Sequence, residues 1–381
     1  MKKESKILIE LVKRGLTDKI LPEDAENLTA EEINNIAKYA GEQGLFPFLQ
    51  FYPVFLNKEN NSKLFQKILS VIYIDQLQMA EMQELLNIFE REGIYCIPLK
   101  GSRTKSLYPS SELRTMGDLD LLYKPEQTKI LQKVMKDLGY HSEGEAAKHD
   151  HYKKGTTVVE MHRTLLSAQS NAYDYFLSIW ERAIPSPGRK YIYEMTLEDH
   201  YLFTLYHLIE HFIRGGIGIR MVLDIFILSQ LSELNWEYLN QELEILGIKE
   251  FEKNIRSIGE KWFSDNEISD TEDLEELEEY IVDGGIFGNL ENDKKNNLLM
   301  HKSKFSYLRS VVCPSYKTMQ TVFVWLKSPL LLPVAWGVRA FRVWTQRRGN
   351  IQKQIERSKA WETGESQEII ERDKFFRKYG L

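Results

Sequence analysis

The segment GDLDLLY, residues 117–123, alternates with period two in a chain whose flanking stretches repeat every three to four residues. Period two puts successive side chains on opposite faces of a strand, so Asp118 and Asp120 leave the same face with alpha carbons about 6.5–7 Å apart. Two like charges on one face, set among Leu119, Leu121 and Leu122, are costly unless something positive lies between them. Carboxylates in such a place either raise their pKa or hold a cation.

The surroundings of the segment read as alternating elements. Residues 96–99, CIPL, form a short apolar run ended by Lys100, Gly101 and Ser102, and RTKSLY has length for about one and a half helical turns. KPEQTKILQKVMKDLGY returns to a helical period after Tyr123, and TTVVEMHRTLL reads as the second strand of a hairpin, from about 156 to 163. In that strand Val158, Glu160 and His162 share a face. KHDHYKKG reads as the hairpin's turn, which assigns His149, Asp150 and His151 to the tip rather than to a zinc site.

The rest is helical. Residues 1–93 carry an amphipathic start, a Thr29 cap with acidic residues after it, and a long apolar stripe from Leu64 to about Glu92 expected to face a core. TLEDHYLFTLYHLIEHFIRGG is a helix capped by Thr196 and stopped by Gly215 and Gly216, with further helices at about 219–231, 236–246, 250–264 and 271–283. The expected division is 1–93 N-terminal helical region, 94–185 α/β core, 186–300 helical domain and 301–381 aromatic and basic tail. Trp325, Trp336 and Trp344 with two prolines make that tail too interrupted for a membrane span, and packing on its own domain is favoured over peripheral membrane contact. The last thirty residues read as a charged helix frayed at the chain end.

The carboxylate pair carries the chemistry. Mg²⁺, with Mn²⁺ as a substitute, prefers hard oxygen ligands and is commonly held by one or two carboxylates together with substrate phosphates. A strand beside Asp118 and Asp120 brings Glu160 to the same cation, so these three are the candidate catalytic and metal-binding residues. Gly101 lets a backbone approach a phosphate, Ser102 heads a short helix, and Lys100 and Arg114 bracket the aspartates with positive charge. Asp120 or Glu160 is placed to accept the proton of an attacking hydroxyl.

LKGSRTKSLYPSSELRTMGDLDLLY with VVEMHRTLL about forty residues on resembles the uncharacterised nucleotidyltransferase family of the DNA polymerase beta superfamily. Its members carry a Lys-Gly segment, then Arg-x-x-x-Asp-x-Asp, then an acidic residue two before a His. The resemblance spans about 60–310 and implies an α+β fold, a small mixed β-sheet core with flanking helices. It implies a nucleoside triphosphate as substrate, an unspecified hydroxyl or phosphate acceptor, and pyrophosphate release. Gly101 and Ser102 match the phosphate-contacting turn, Asp118, Asp120 and Glu160 the metal carboxylates, and Lys100, Arg114 and His162 substrate-side positions.

Several rival functions are disfavoured. Charge nearly cancels, 56 acidic against 50 basic residues, which leaves no global field for a nucleic-acid backbone. Cys96 and Cys313 stand far apart in apolar surroundings, which suits reduced thiols and the cytoplasm, and the interrupted N-terminal apolar stretch argues against secretion. His207 and His211 read as core or site-lining residues, and Arg220 with Asp224 as an i, i+4 ion pair. A catalytically silent nucleotide-binding scaffold, beside surface-glycan synthesis, is the alternative to an enzyme.

Overall fold

A computed structural model describes the chain except residues 23–27, 146–148, 266–271, 287, 290–291, 294–295, 297–308, 310, 324 and 347–365. The fold is α+β. Five strands, β1 (Cys96–Pro98), β2 (Leu119–Tyr123), β3 (His141–Glu145), β4 (His149–Lys154) and β5 (Thr157–His162), form a mixed sheet in the order β1-β2-β5-β4-β3. β2 and β5 are parallel and the other pairs antiparallel.

Alternation divides the two faces of this sheet. Leu119, Leu121, Val159 and Met161 point to one side, where Leu131 and Met135 of the helix Thr128–Asp137 and Leu85 and Phe89 of the helix Lys58–Glu92 close a buried core. Burying these apolar faces is the main term that fixes strand register, because a one-residue slip would send every one of them to the other side. The opposite face carries Asp120, Glu160 and His162 and is covered by the helices Leu197–Arg214 and Ile219–Ser229.

Those two helices begin and end where their residues require. Thr196 accepts a hydrogen bond from the Asp199 amide at the start of the first, and Gly215 ends it, followed by Gly216 at φ +98°. The second is nearly all apolar and buried on every side, as its sequence IRMVLDIFILS dictates. A single large apolar cluster joins it to Leu8, Leu11 and Val12 of the helix Lys3–Leu16, to Phe251 and Ile255 of the helix Lys249–Phe263, and to the chain's last residues.

Four expectations change. HDHYKK is not a hairpin tip but the strand β4, with the turn at Gly155, whose φ is +58°. The stripe of the long helix is buried at Ile68, Met82, Leu85 and Phe89, yet its Leu69 and Leu77 face solvent. The C-terminal helix Ser366–Lys378 is docked rather than frayed, with Phe375, Phe376 and Tyr379 buried against the core and the Phe375 ring stacked on Phe212. Asp224 pairs with Arg114, not with Arg220. In the tail, Met319, Phe323, Leu326 and Ala335 form a small core of their own, and the Trp336 indole donates to the Pro314 carbonyl. Val324 and the stretch from 347 to 365 lie outside the described residues, and among those described no helix is long and apolar enough to cross a membrane.

Candidate active site

Register assembles the site. Asp120 in β2 lies opposite Glu160 in β5, and Glu160 lies opposite His151 in β4, so three adjacent strands present these residues in one row. In the next row His162 faces His149. Asp118 sits one residue before β2 and joins the same face. One carboxylate oxygen from each of Asp118, Asp120 and Glu160 lies within 4.8 Å of the others.

Each carboxylate has a different electrostatic setting. Burial, then the neighbouring charges of Asp120 and Glu160, push the Asp118 carboxyl up to about 6. Asp120 is buried more deeply, which alone would raise it. Lys100, with Nζ at 3.4 Å, and His162, with Nε2 at 2.8 Å, instead hold Asp120 well below the ordinary carboxylate range. Burial likewise opposes the Glu160 charge, and His162 and His149 hold it down. Two carboxylates are thus paired by protein cations or imidazoles, and Asp118 carries the unrelieved repulsion. A hard divalent cation among three such oxygens would relieve it, so the donor set fits Mg²⁺.

The trio opens on a cleft of about 480 Å³, a size that suits a nucleotide-scale ligand. Lys100, Arg114, Asp118, Asp120, Glu160 and His162 all line it. Gly101 and Ser102 do not. The Ser102 hydroxyl donates back to the Leu99 carbonyl at 3.1 Å, and the Gly101 carbonyl accepts from Arg114 at 3.1 Å. The far wall is helical, with Thr204, His207 and His211 from Leu197–Arg214 and Arg220 and Asp224 from Ile219–Ser229.

A buried polar network fixes that wall to the sheet. Arg114 donates through Nε and NH2 to the two oxygens of Asp224, both at 2.7 Å, and Tyr108 donates to Asp224 at 2.8 Å. Arg220 turns instead to the Thr115 carbonyl at 3.0 Å. Lys105 is buried against Asp75, and Ser111 also donates to Asp75. On the other face of the sheet Asp150 is buried with Arg163 and Tyr123.

Sequence reasoning placed the three carboxylates together but missed His149 and His151. Their signal was present: in HDHYKK the two histidines share one parity, so if the segment is a strand both must face Glu160. It was masked because alternating polar residues resemble a turn. Asp224 was missed as the partner of Arg114 because nothing local links residues 110 positions apart.

No curated protein matches this chain in sequence. Among solved structures, the solution structure of the antibiotic-resistance factor ANT(2'')-Ia is similar over 48% of this chain and 91% of its own, at 11% identity and a TM-score of 0.29. A family model described as uncharacterised nucleotidyltransferase matches residues 30–264. That range takes in well over half of the chain, both carboxylate-bearing strands and the helices that cover them, and the chain belongs to the uncharacterised nucleotidyltransferase family.

Proposed function

We propose that the chain moves a nucleoside monophosphate from a nucleoside triphosphate to a hydroxyl or phosphate acceptor in a Mg²⁺-dependent reaction that releases pyrophosphate. The observation that carries this reading is the convergence of Asp118, Asp120 and Glu160 oxygens within 4.8 Å at the floor of an open cleft. Asp118, Asp120 and Glu160 would hold the cation, with Mn²⁺ as a substitute. When bound, it supplies charge neutralisation at the phosphate oxygens.

The side chains of the cleft do the remaining work. Lys100, paired with Asp120 at the cleft, offers positive charge to the triphosphate, and Arg220 and His207 line the cleft's helical wall. In transfer the acceptor hydroxyl gives its proton to Asp120 or Glu160 and its oxygen bonds the α-phosphorus. The bond from that phosphorus to the bridging oxygen breaks, and pyrophosphate leaves. Arg114, engaged by Asp224 and by the Gly101 carbonyl, holds the segment between Lys100 and Asp118 in place.

Two free cysteines, one fully buried, support a reducing cytoplasmic setting. Leu330, Val334 and Phe341 project outward from the tail, which supports a peripheral surface contact there. The enzymatic reading is tested by thermal unfolding with Mg²⁺ and a nucleotide panel, followed by a pyrophosphate-release assay over candidate acceptors. Stabilisation that disappears in Asp118→Asn with Asp120→Asn, together with acceptor-dependent pyrophosphate release, is the expected outcome. Tight binding with no release across the panel would make the chain a nucleotide-binding scaffold, and no binding at all would end the reading.

A further inference from the structure

Beside the three carboxylates lies a donor set of different chemistry. His149 in β4 and His162 in β5 are register partners, and their rings stand 4.8 Å apart at 62°. Between them is one oxygen: Glu160 Oε2 is 3.4 Å from His149 Nδ1 and 3.4 Å from His162 Nε2. These separations are long for hydrogen bonds. They match the ligand-to-ligand edge of a tetrahedral ion, which is about 3.3–3.4 Å for bonds of about 2.0–2.1 Å. One ligand atom from each of the three residues lies within 4.8 Å of the other two, and all three residues line the cleft.

We propose that His149, Glu160 and His162 form a second cation position, selective for zinc-class transition ions rather than Mg²⁺. Two imidazole nitrogens and one carboxylate oxygen suit Zn²⁺ or Co²⁺, and an open fourth position faces the cleft. His151 flanks the shared carboxylate from outside, with Nδ1 at 3.3 Å from Glu160 Oε1. Ion binding exchanges the hydrogen bond between His162 Nε2 and Asp120 for a metal bond, and the imidazole proton moves to Nδ1. This inference deepens the proposed function, because it rests on Glu160 being shared by the two positions.

The test uses full-length protein stripped with a chelator and titrated with Co²⁺, read by visible absorption. Wild type is expected to take one Co²⁺ per chain with the intensified bands of a tetrahedral nitrogen–oxygen set, displaced by Zn²⁺ and not by a large excess of Mg²⁺. His149→Ala and His149→Gln, each checked for native near-UV circular dichroism, are expected to weaken Co²⁺ binding at least about tenfold. Asp118→Asn is expected to keep the Co²⁺ bands while losing Mg²⁺-dependent stabilisation by nucleotide. Unchanged Co²⁺ affinity in both folded His149 variants, or ready displacement by Mg²⁺, overturns the second position and leaves the nucleotide reading intact. Retained Co²⁺ bands without any nucleotide binding in wild type would sink the nucleotide reading instead.

Discussion

Removing the Asp224 carboxylate exposes how the helical wall is tied to the strand that carries the aspartates. Arg114 and Asp224 are each about 6% exposed at the side chain and joined by two 2.7 Å hydrogen bonds. Asp224→Ala leaves a buried guanidinium without its counter-charge and the Tyr108 hydroxyl without its acceptor. Breaking a buried pair from one side costs about 3–5 kcal/mol. At about 2.1 cal/mol/K of unfolding entropy per residue over 381 residues, that corresponds to a fall in Tm of roughly 4–6 °C. Urea unfolding at pH 7 is the assay. The same loss should largely vanish in a cycle run on an Arg114→Met background, because the buried guanidinium that Asp224 neutralises is then already gone. A cost below about 1 kcal/mol for Asp224→Ala, or a coupling near zero in the cycle, would refute the claim that this pair anchors the wall.

Two other perturbations follow from burial. Burial, reinforced by the Arg103 and Arg114 charges and opposed by Asp224, pushes the His200 imidazole down to about 3, with Nε2 held by the Thr104 hydroxyl. Its folded value lies below the unfolded one, so the unfolded chain takes up the proton first and stability is lost as pH falls from about 6.5 toward 3. Between pH 7 and pH 5 wild type should lose about 2 kcal/mol more than His200→Gln in urea unfolding, and equal slopes would contradict the assignment. Burial also pushes the Cys96 thiol up, whereas Cys313 is only half-buried. Ellman's reagent should therefore titrate one thiol in native protein and two after denaturation, and prompt reaction of both would show that Cys96 is not enclosed.

How much of this was legible depended on whether an element announces itself by apolar periodicity. β2 and β5 did, since Leu119, Leu121, Val159 and Met161 alternate with the acidic residues, and that alternation alone sets Asp120 and Glu160 on one face. β4 did not, because its inward residues are His149, His151 and, on the reverse face, Asp150 and Tyr152. A strand whose buried side chains are polar has no hydrophobic signature, and inside the protein Asp150 is met by Arg163 and Tyr123. The C-terminal helix was misread for the opposite reason. Its many charges suggested a solvated end, but Phe375 and Phe376 find Phe212, and Phe375 also meets Tyr280, residues that no local pattern connects to them. The Arg220 and Asp224 spacing obeyed a local rule that weighs a few tenths of a kcal/mol, far less than the need of buried Arg114 for a counter-charge.

The central claim is that Asp118, Asp120 and Glu160 act as one cation site serving a nucleotide in the cleft. Isothermal titration of a non-hydrolysable nucleoside triphosphate analogue, with and without Mg²⁺, in wild type and Asp118→Asn, measures it most directly. The account predicts that Mg²⁺ tightens binding at least about tenfold in wild type, a difference of about 1.4 kcal/mol, and that Asp118→Asn abolishes this dependence. Equal affinity with and without Mg²⁺ in wild type, or an undiminished Mg²⁺ effect in Asp118→Asn, would contradict it.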